Sequence, residues 1–230
     1  MIKSIVGFGD SWIYGNEIGS DEPGDPVRLS NCILGQVGNN LNLPTNNLGR
    51  PGSSLTSMLW QFAHWVKEVT NPAEHLVLVG LTYDSRESWW PVDQSSRLST
   101  NKGPVYVELH QKITQSHRDD WSDFVKHFLQ HASHDQVDAM RYWQTVNFLD
   151  SYCYKHRIPL LQINVAQPTE RIMVDSLYKF GTCMVDLLQK EAAQSKIDLH
   201  APGRHPNATG AKFLADRITE EIYNRGLVNG

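Results

Sequence analysis

The sequence predicts a three-layer α/β/α sandwich around a parallel sheet of about five strands. Short apolar runs alternate with amphipathic stretches along the chain, the pattern of strand–helix–strand units. One run, residues 75–81, is apolar almost throughout, as a strand covered on both faces requires. The 230 residues, 40% hydrophobic and 20% charged, suffice for the core of one domain and exclude a disordered chain.

The elements follow in order. Residues 2–8 form the first strand. Residues 31–41 read as a helix with Ile33, Leu34, Val37 and Leu41 on one face. Residues 45–48 make a short second strand. Ser53 or Ser54 caps a helix running to about Val69, with Leu55, Leu59, Phe62, Ala63 and Val66 inward. Strand 75–81 comes next, then a long helix over 135–155 and a buried strand over 159–165. Residues 171–190 are helical with a break near Gly181, and a short strand falls at 196–199. The last helix spans about 207–224, with Phe213, Leu214, Ile218 and Ile222 inward. The stretch 84–134 breaks the regularity. It is rich in Trp, His and polar residues, and a long insertion of this kind reads as a lid or cap, with helix near 121–131. No repeat or linker divides the chain, so one domain over 1–230 is expected.

A net charge of −4 and the lack of any Lys/Arg cluster argue against a nucleic-acid partner. No apolar stretch approaches the roughly 18 residues of a membrane span. The N-terminal residues read directly as a strand with no cleavable leader, which predicts a cytoplasmic protein. Cys32, Cys153 and Cys183 are widely spaced and odd in number, which fits free buried thiols. His127, His131 and His134 share a helical face, but a solvated polar face is the simpler reading and no metal or other cofactor is expected.

Two blocks carry chemistry. Gly9-Asp10-Ser11-Trp12 follows the first strand directly, and a serine flanked there by glycines is placed for exposure. Arg204-His205-Pro206-Asn207 precedes the last helix, with proline suited to the first helical turn. Serine and histidine are the parts of a nucleophile and its base. Ser11, Gly52 after strand two, Thr82 and Tyr83 after strand three, and His205 all fall at the carboxyl edge of the sheet, where open α/β sheets bind ligands.

These blocks resemble the SGNH (GDSL) hydrolase family, over essentially the whole chain. The resemblance implies that family's flavodoxin-like fold and a serine esterase. Ser11 is then the nucleophile and His205 the general base, and the Ser11 and Gly52 amides form an oxyanion hole. The family places an aspartate three residues before the histidine, where this chain has Pro202. Three arrangements compete: Asp198 reaches His205, a backbone carbonyl orients the imidazole, or His200 is the base. Asp198 is the expected partner. The family's third-block asparagine is replaced by Tyr83, leaving Thr82, the Tyr83 hydroxyl or Arg86 as substitutes, Thr82 first. Trp12, Tyr14, Trp89 and Trp90 are expected around the site, with Arg86 also placed to bind substrate. The implied substrate is a small-molecule or carbohydrate ester, such as a sugar O-acetyl group. The alternative is a catalytically impaired binding or assembly module on the same fold, suggested by the altered third and last blocks.

Overall fold

The computed structural model describes residues 1–20, 22, 24–82, 87–89, 105–107, 135–167, 177–178 and 183–228. A five-stranded parallel sheet has the order β2-β1-β3-β6-β7. Its strands are β1 (Ser4–Phe8), β2 (Thr45–Asn47), β3 (His75–Leu81), β6 (Leu160–Asn164) and the two-residue edge β7 (Leu177–Tyr178). Between β3 and β6 the chain adds a separate antiparallel pair, β4 (Glu87–Trp89) and β5 (Val105–Val107). The helices are α1 (Ser11–Tyr14), α2 (Pro26–Asn31), α3 (Ile33–Leu41), α4 (Leu55–Glu68), α5 (Asp135–His156), α6 (Met184–Ser195) and α7 (Ala208–Asn224).

The period-two alternation of the strands splits the core into two layers. Ile5, Leu76, Leu78, Leu161 and Ile163 face Ile33, Leu34 and Val37 of α3, Leu188 of α6, and Leu214, Ile218 and Ile222 of α7. Val6, Phe8, Val77, Val79 and Leu81 face Met58, Phe62 and Trp65 of α4 and Tyr142, Val146 and Leu149 of α5. Helix α4 starts where the Ser54 side chain accepts the Ser57 amide. Its inward face is Leu55, Met58, Phe62 and Trp65, rotated from the expected one: Ala63 is exposed, and Leu59 and Val66 lie at the margin. Phe62 and Trp65 anchor it edge-on against Phe8, with ring centroids 5.7 and 5.8 Å away. Each such side chain contributes about 1.5–3 kcal/mol on burial.

The helix expected over 31–41 forms as α3, starting two residues later because Cys32 is extended and caps it, and α2 is an additional helix before it. Two expectations change. No strand forms at 196–199. Lys196 ends α6 in a left-handed conformation, and the Asp198 carboxylate then accepts the His200 amide in a turn, so that only an isolated bridge joins His200 to Pro206. The fifth strand is β7 instead, inside a stretch expected to be helical. Apart from β4 and β5, most of the expected lid over 84–134, with His127, His131 and His134, lies outside the described residues. Among the described residues no helix is long and apolar enough to cross a membrane, and no cluster of metal-ligating side chains occurs.

All three cysteines are free and buried. Burial pushes the Cys153 thiol up to about 12 and raises those of Cys32 and Cys183. Since the thiolate is the reactive form, an aromatic disulfide reagent at neutral pH should titrate none of them rapidly in the native protein and all three after unfolding. Rapid native reaction at any one would contradict the packing.

Candidate active site

The serine turn is built by close packing. Ile13 of α1 folds back over the sheet so tightly that a Cβ on Gly9 would lie 2.4 Å from its Cγ1, and a Cβ on Gly80 2.5 Å from the same atom. Glycine at both positions lets the one-turn helix α1 sit directly on the strand ends. Asp10, fully buried, caps α1: its Oδ1 accepts the Trp12 amide at 3.0 Å and its Oδ2 accepts the Thr82 hydroxyl at 2.8 Å. The carbonyls left over at the end of α1 find partners in turn. Ser11 O accepts from the amides of Gly15 and Asn16, Ile13 O from Asn47 Nδ2 at 2.8 Å, and Tyr14 O from Arg28 Nη1 at 2.9 Å.

Ser11 is therefore held on a rigid turn, 6% exposed. His205 Nε2 lies 2.9 Å from Ser11 Oγ. The histidine sits in a pinned loop. The Ala201 amide donates to His205 O at 2.8 Å, and the Arg204 amide donates to Ala201 O at 2.9 Å. Asn207 caps α7 through Oδ1 and donates from Nδ2 to Asp198 O at 2.9 Å.

On its far side, His205 Nδ1 lies 2.6 Å from Glu17 Oε2. The other carboxylate oxygen, Oε1, accepts the Gly203 amide at 2.8 Å. Glu17 reaches this point because Gly15 ends α1 in a left-handed conformation (φ 86°) and Glu17 itself is left-handed (φ 64°), a region non-glycine residues seldom enter. The hydrogen bond from His205, aided by the Gly203 amide and opposed by desolvation, holds the Glu17 carboxyl below its usual range. A lowered carboxyl contributes stability above the ordinary glutamate range and loses it as pH falls through the folded-state value. An ionised Glu17 only accepts hydrogen bonds, an arrangement that favours the ring proton on Nδ1 and a lone pair on Nε2 facing the serine hydroxyl.

The structure thus brings Ser11 and His205 together and places Glu17, not Asp198, against the imidazole. Asp198 fails to reach because its carboxylate is turned onto the His200 amide, in the turn that opens the loop. Thr82 is also corrected as a candidate donor. Its single hydroxyl proton goes to Asp10, so the side chain braces the serine turn. Trp12 is 7% exposed and packs into the core layer with Ile13, Ile18 and Cys32. Tyr14 lies under the Arg28 guanidinium, 3.8 Å from its ring centroid. Gly52 turns with φ 70°, and nothing lies within 4 Å of where its Cβ would be. Its loop is drawn to the serine turn by the Arg50 amide, which donates to Gly9 O at 2.9 Å. Tyr83, Arg86, Trp90 and the Trp89 side chain lie outside the described residues.

Glu17, Arg28 and Asn47 are the residues the sequence reading missed. One signal was available for the first. With Pro202 and no carboxylate three residues before His205, Glu17 is a carboxylate in a short segment between Gly15 and Gly19, a few residues past Ser11. Arg28 and Asn47 act on backbone carbonyls, which leave no mark in a side-chain pattern.

The fold and the Ser11–His205–Glu17 series define an α/β/α protein with a serine–histidine pair at the carboxyl edge of its sheet. No protein-family model and no curated protein matches the chain. Among solved structures it is similar to a member of the lipolytic G-D-S-L family from Veillonella parvula, at TM-score 0.41 and 16% identity over 97% of this chain and 99% of that one. It is similar to a family two carbohydrate esterase from Clostridium thermocellum in complex with cellohexaose, at TM-score 0.44 and 15% identity, covering 99% of this chain and 66% of that one. A third is a lipase/acylhydrolase from Enterococcus faecalis, at TM-score 0.40 and 14% identity over 97% of each chain.

Proposed function

We propose that the chain is a serine ester hydrolase of the SGNH type, on the observation that His205 Nε2 stands 2.9 Å from Ser11 Oγ at the carboxyl edge of the sheet. Ser11 Oγ attacks the ester carbonyl carbon while His205 Nε2 takes the hydroxyl proton. The tetrahedral intermediate collapses, the C–O bond to the alcohol breaks, and the imidazolium returns the proton to the departing alcohol. Water then attacks the acyl-enzyme, giving its proton to Nε2. Collapse releases the acid and restores the Ser11 hydroxyl with that proton.

The carbonyl oxygen gains charge in both tetrahedral states and needs donors aimed at it. The amides of Ser11 and Gly52 support that role. The Asp10 cap takes the amide of Trp12 and not that of Ser11, and Gly52 turns in a left-handed conformation with nothing within 4 Å of where its Cβ would be. With Thr82 committed to Asp10, Tyr83 and Arg86 remain the candidates for a third donor. The sequence blocks support an ester, and a short acyl group on a carbohydrate is the preferred substrate.

A fluorophosphonate probe tests the nucleophile. The folded wild-type protein should be labelled at Ser11 and the Ser11→Ala variant should not. A panel of acetylated sugars and p-nitrophenyl esters then defines the substrate. Absence of both labelling and hydrolysis in folded protein would replace this reading with the non-catalytic binding module.

A further inference from the structure

We infer that Glu17, carried on the nucleophile's own loop, is the carboxylate that positions His205, so that one short segment supplies both the serine and the acid of the site. The inference rests on the hydrolase reading for its functional meaning, though its geometry stands alone. Three observations carry it.

The first is that Glu17 bridges. One oxygen accepts from the imidazole at 2.6 Å and the other accepts the Gly203 amide at 2.8 Å. The same carboxylate therefore fixes both the ring and the backbone two residues before it. A surface ion pair formed by chance would leave one oxygen to water. The second is close fit. A Cβ on Gly203 would lie 2.5 Å from Glu17 Oε2 and 2.9 Å from Oε1, so the loop approaches the carboxylate with its bare backbone.

The third is that the segment carrying Glu17 is clamped at both ends by a buried cation. Arg28, 2% exposed, donates from Nη1 to Tyr14 O at 2.9 Å and from Nη2 to Glu22 O at 3.1 Å, and it stacks on the Tyr14 ring. Asp25 adds a clamp from the same helix start, its Oδ2 accepting the Ser20 amide. The left-handed conformation at Glu17 is thereby held from both sides, which such a conformation requires. Asp198 has no comparable claim, since its carboxylate closes a turn on the His200 amide.

The chemical consequence concerns the proton. With an ionised carboxylate at Nδ1, the imidazole keeps its proton there and presents a lone pair at Nε2 to the serine hydroxyl. The positive charge that forms on the ring is then met at short range. An amide in place of Glu17 can offer its NH₂ group to Nδ1, which favours the tautomer protonated at Nε2, and that tautomer cannot accept the serine proton.

The test combines ester turnover with the tautomer. In ¹⁵N-histidine-labelled protein, His205 should carry its proton on Nδ1 in the wild type and shift toward Nε2 in Glu17→Gln. Turnover of p-nitrophenyl acetate in Glu17→Gln should fall by about 10²–10⁴-fold, mostly in kcat. In Glu17→Ala, millimolar formate should restore part of the rate, because a small carboxylate can occupy the vacated position. Asp198→Asn should stay within a few-fold of wild type. An unchanged tautomer in Glu17→Gln, or an unchanged rate in both Glu17 variants of an active enzyme, overturns the assignment of Glu17. A tautomer shift in a protein that hydrolyses no ester and takes no phosphonate leaves Glu17 as the histidine's positioning residue and overturns the hydrolase reading alone.

Discussion

Ser11→Ala and His205→Ala are each expected to lower p-nitrophenyl acetate hydrolysis by about 10³–10⁶-fold, and the double variant should lose little more. In the proposed mechanism the two side chains perform one act. Without the imidazole, Ser11 must shed its proton to water, and as a neutral alcohol it is a poor nucleophile. Without the serine hydroxyl, the imidazole at 2.9 Å has no proton to take. Removing the second member of a pair that works only together removes nothing further. Substrate binding should change far less than turnover, since neither group gains its full interaction until charge develops. The measurement is kcat and KM for both single variants and the double variant, each with a melting curve to show a native fold. Rates near wild type in both folded single variants would end the hydrolase reading. Two independent losses that multiply would show that Ser11 and His205 do not act through the contact seen here.

Most of the sheet could be read from the sequence because hydrophobic periodicity records burial directly. Residues 75–81 are apolar on both faces and became β3, paired with β1 on one side and β6 on the other. The alternation in β1 sends Ile5 into one core layer and Val6 into the other. Ser11 and His205 were legible because glycine and proline punctuate the chain beside them. Other features were set by contacts distant in sequence, which leave no local pattern. The fifth strand depends on β6 offering an edge to two residues, not on any apolar run. Asp198 and Glu17 are both carboxylates near a candidate partner, and no periodicity ranks them. The choice is made by backbone conformation. Lys196 and the Asp198 turn direct one carboxylate away, while Gly15 and a left-handed Glu17 swing the other across 188 residues of sequence to His205. Trp12, expected around the site, packs into the core layer, because a one-turn helix puts neighbouring residues on different sides.

Gly9→Ala should damage both the fold and the site, with a loss of roughly 1–3 kcal/mol in stability from overpacking and near-complete loss of ester turnover. The added Cβ would stand 2.4 Å from Ile13 Cγ1, 2.8 Å from Ile13 Cβ and 3.2 Å from the Gly80 carbonyl oxygen. None of these atoms can easily give way. Ile13 is fully buried and branched at Cβ, so its χ1 is stiff. The Gly80 oxygen belongs to the central strand β3. Relief therefore has to come from lifting α1 off the sheet. That movement would carry Ser11 away from His205 and pull at the bonds from Asp10 to the Trp12 amide and the Thr82 hydroxyl. The first glycine of the serine block is on this account a packing residue, which provides the space that holds Ser11 down. A second substitution separates this cause from a general intolerance of alanine. Ile13→Ala removes Cγ1, the nearest atom, and leaves a cavity that the Gly9 methyl can partly fill. The double variant Gly9→Ala/Ile13→Ala should then melt above the sum of the two single losses, a coupling of about 0.5–3 kcal/mol between residues in contact. Strict additivity in that cycle, or full activity in Gly9→Ala alone, would show that Ile13 does not press α1 onto the sheet as the structure has it.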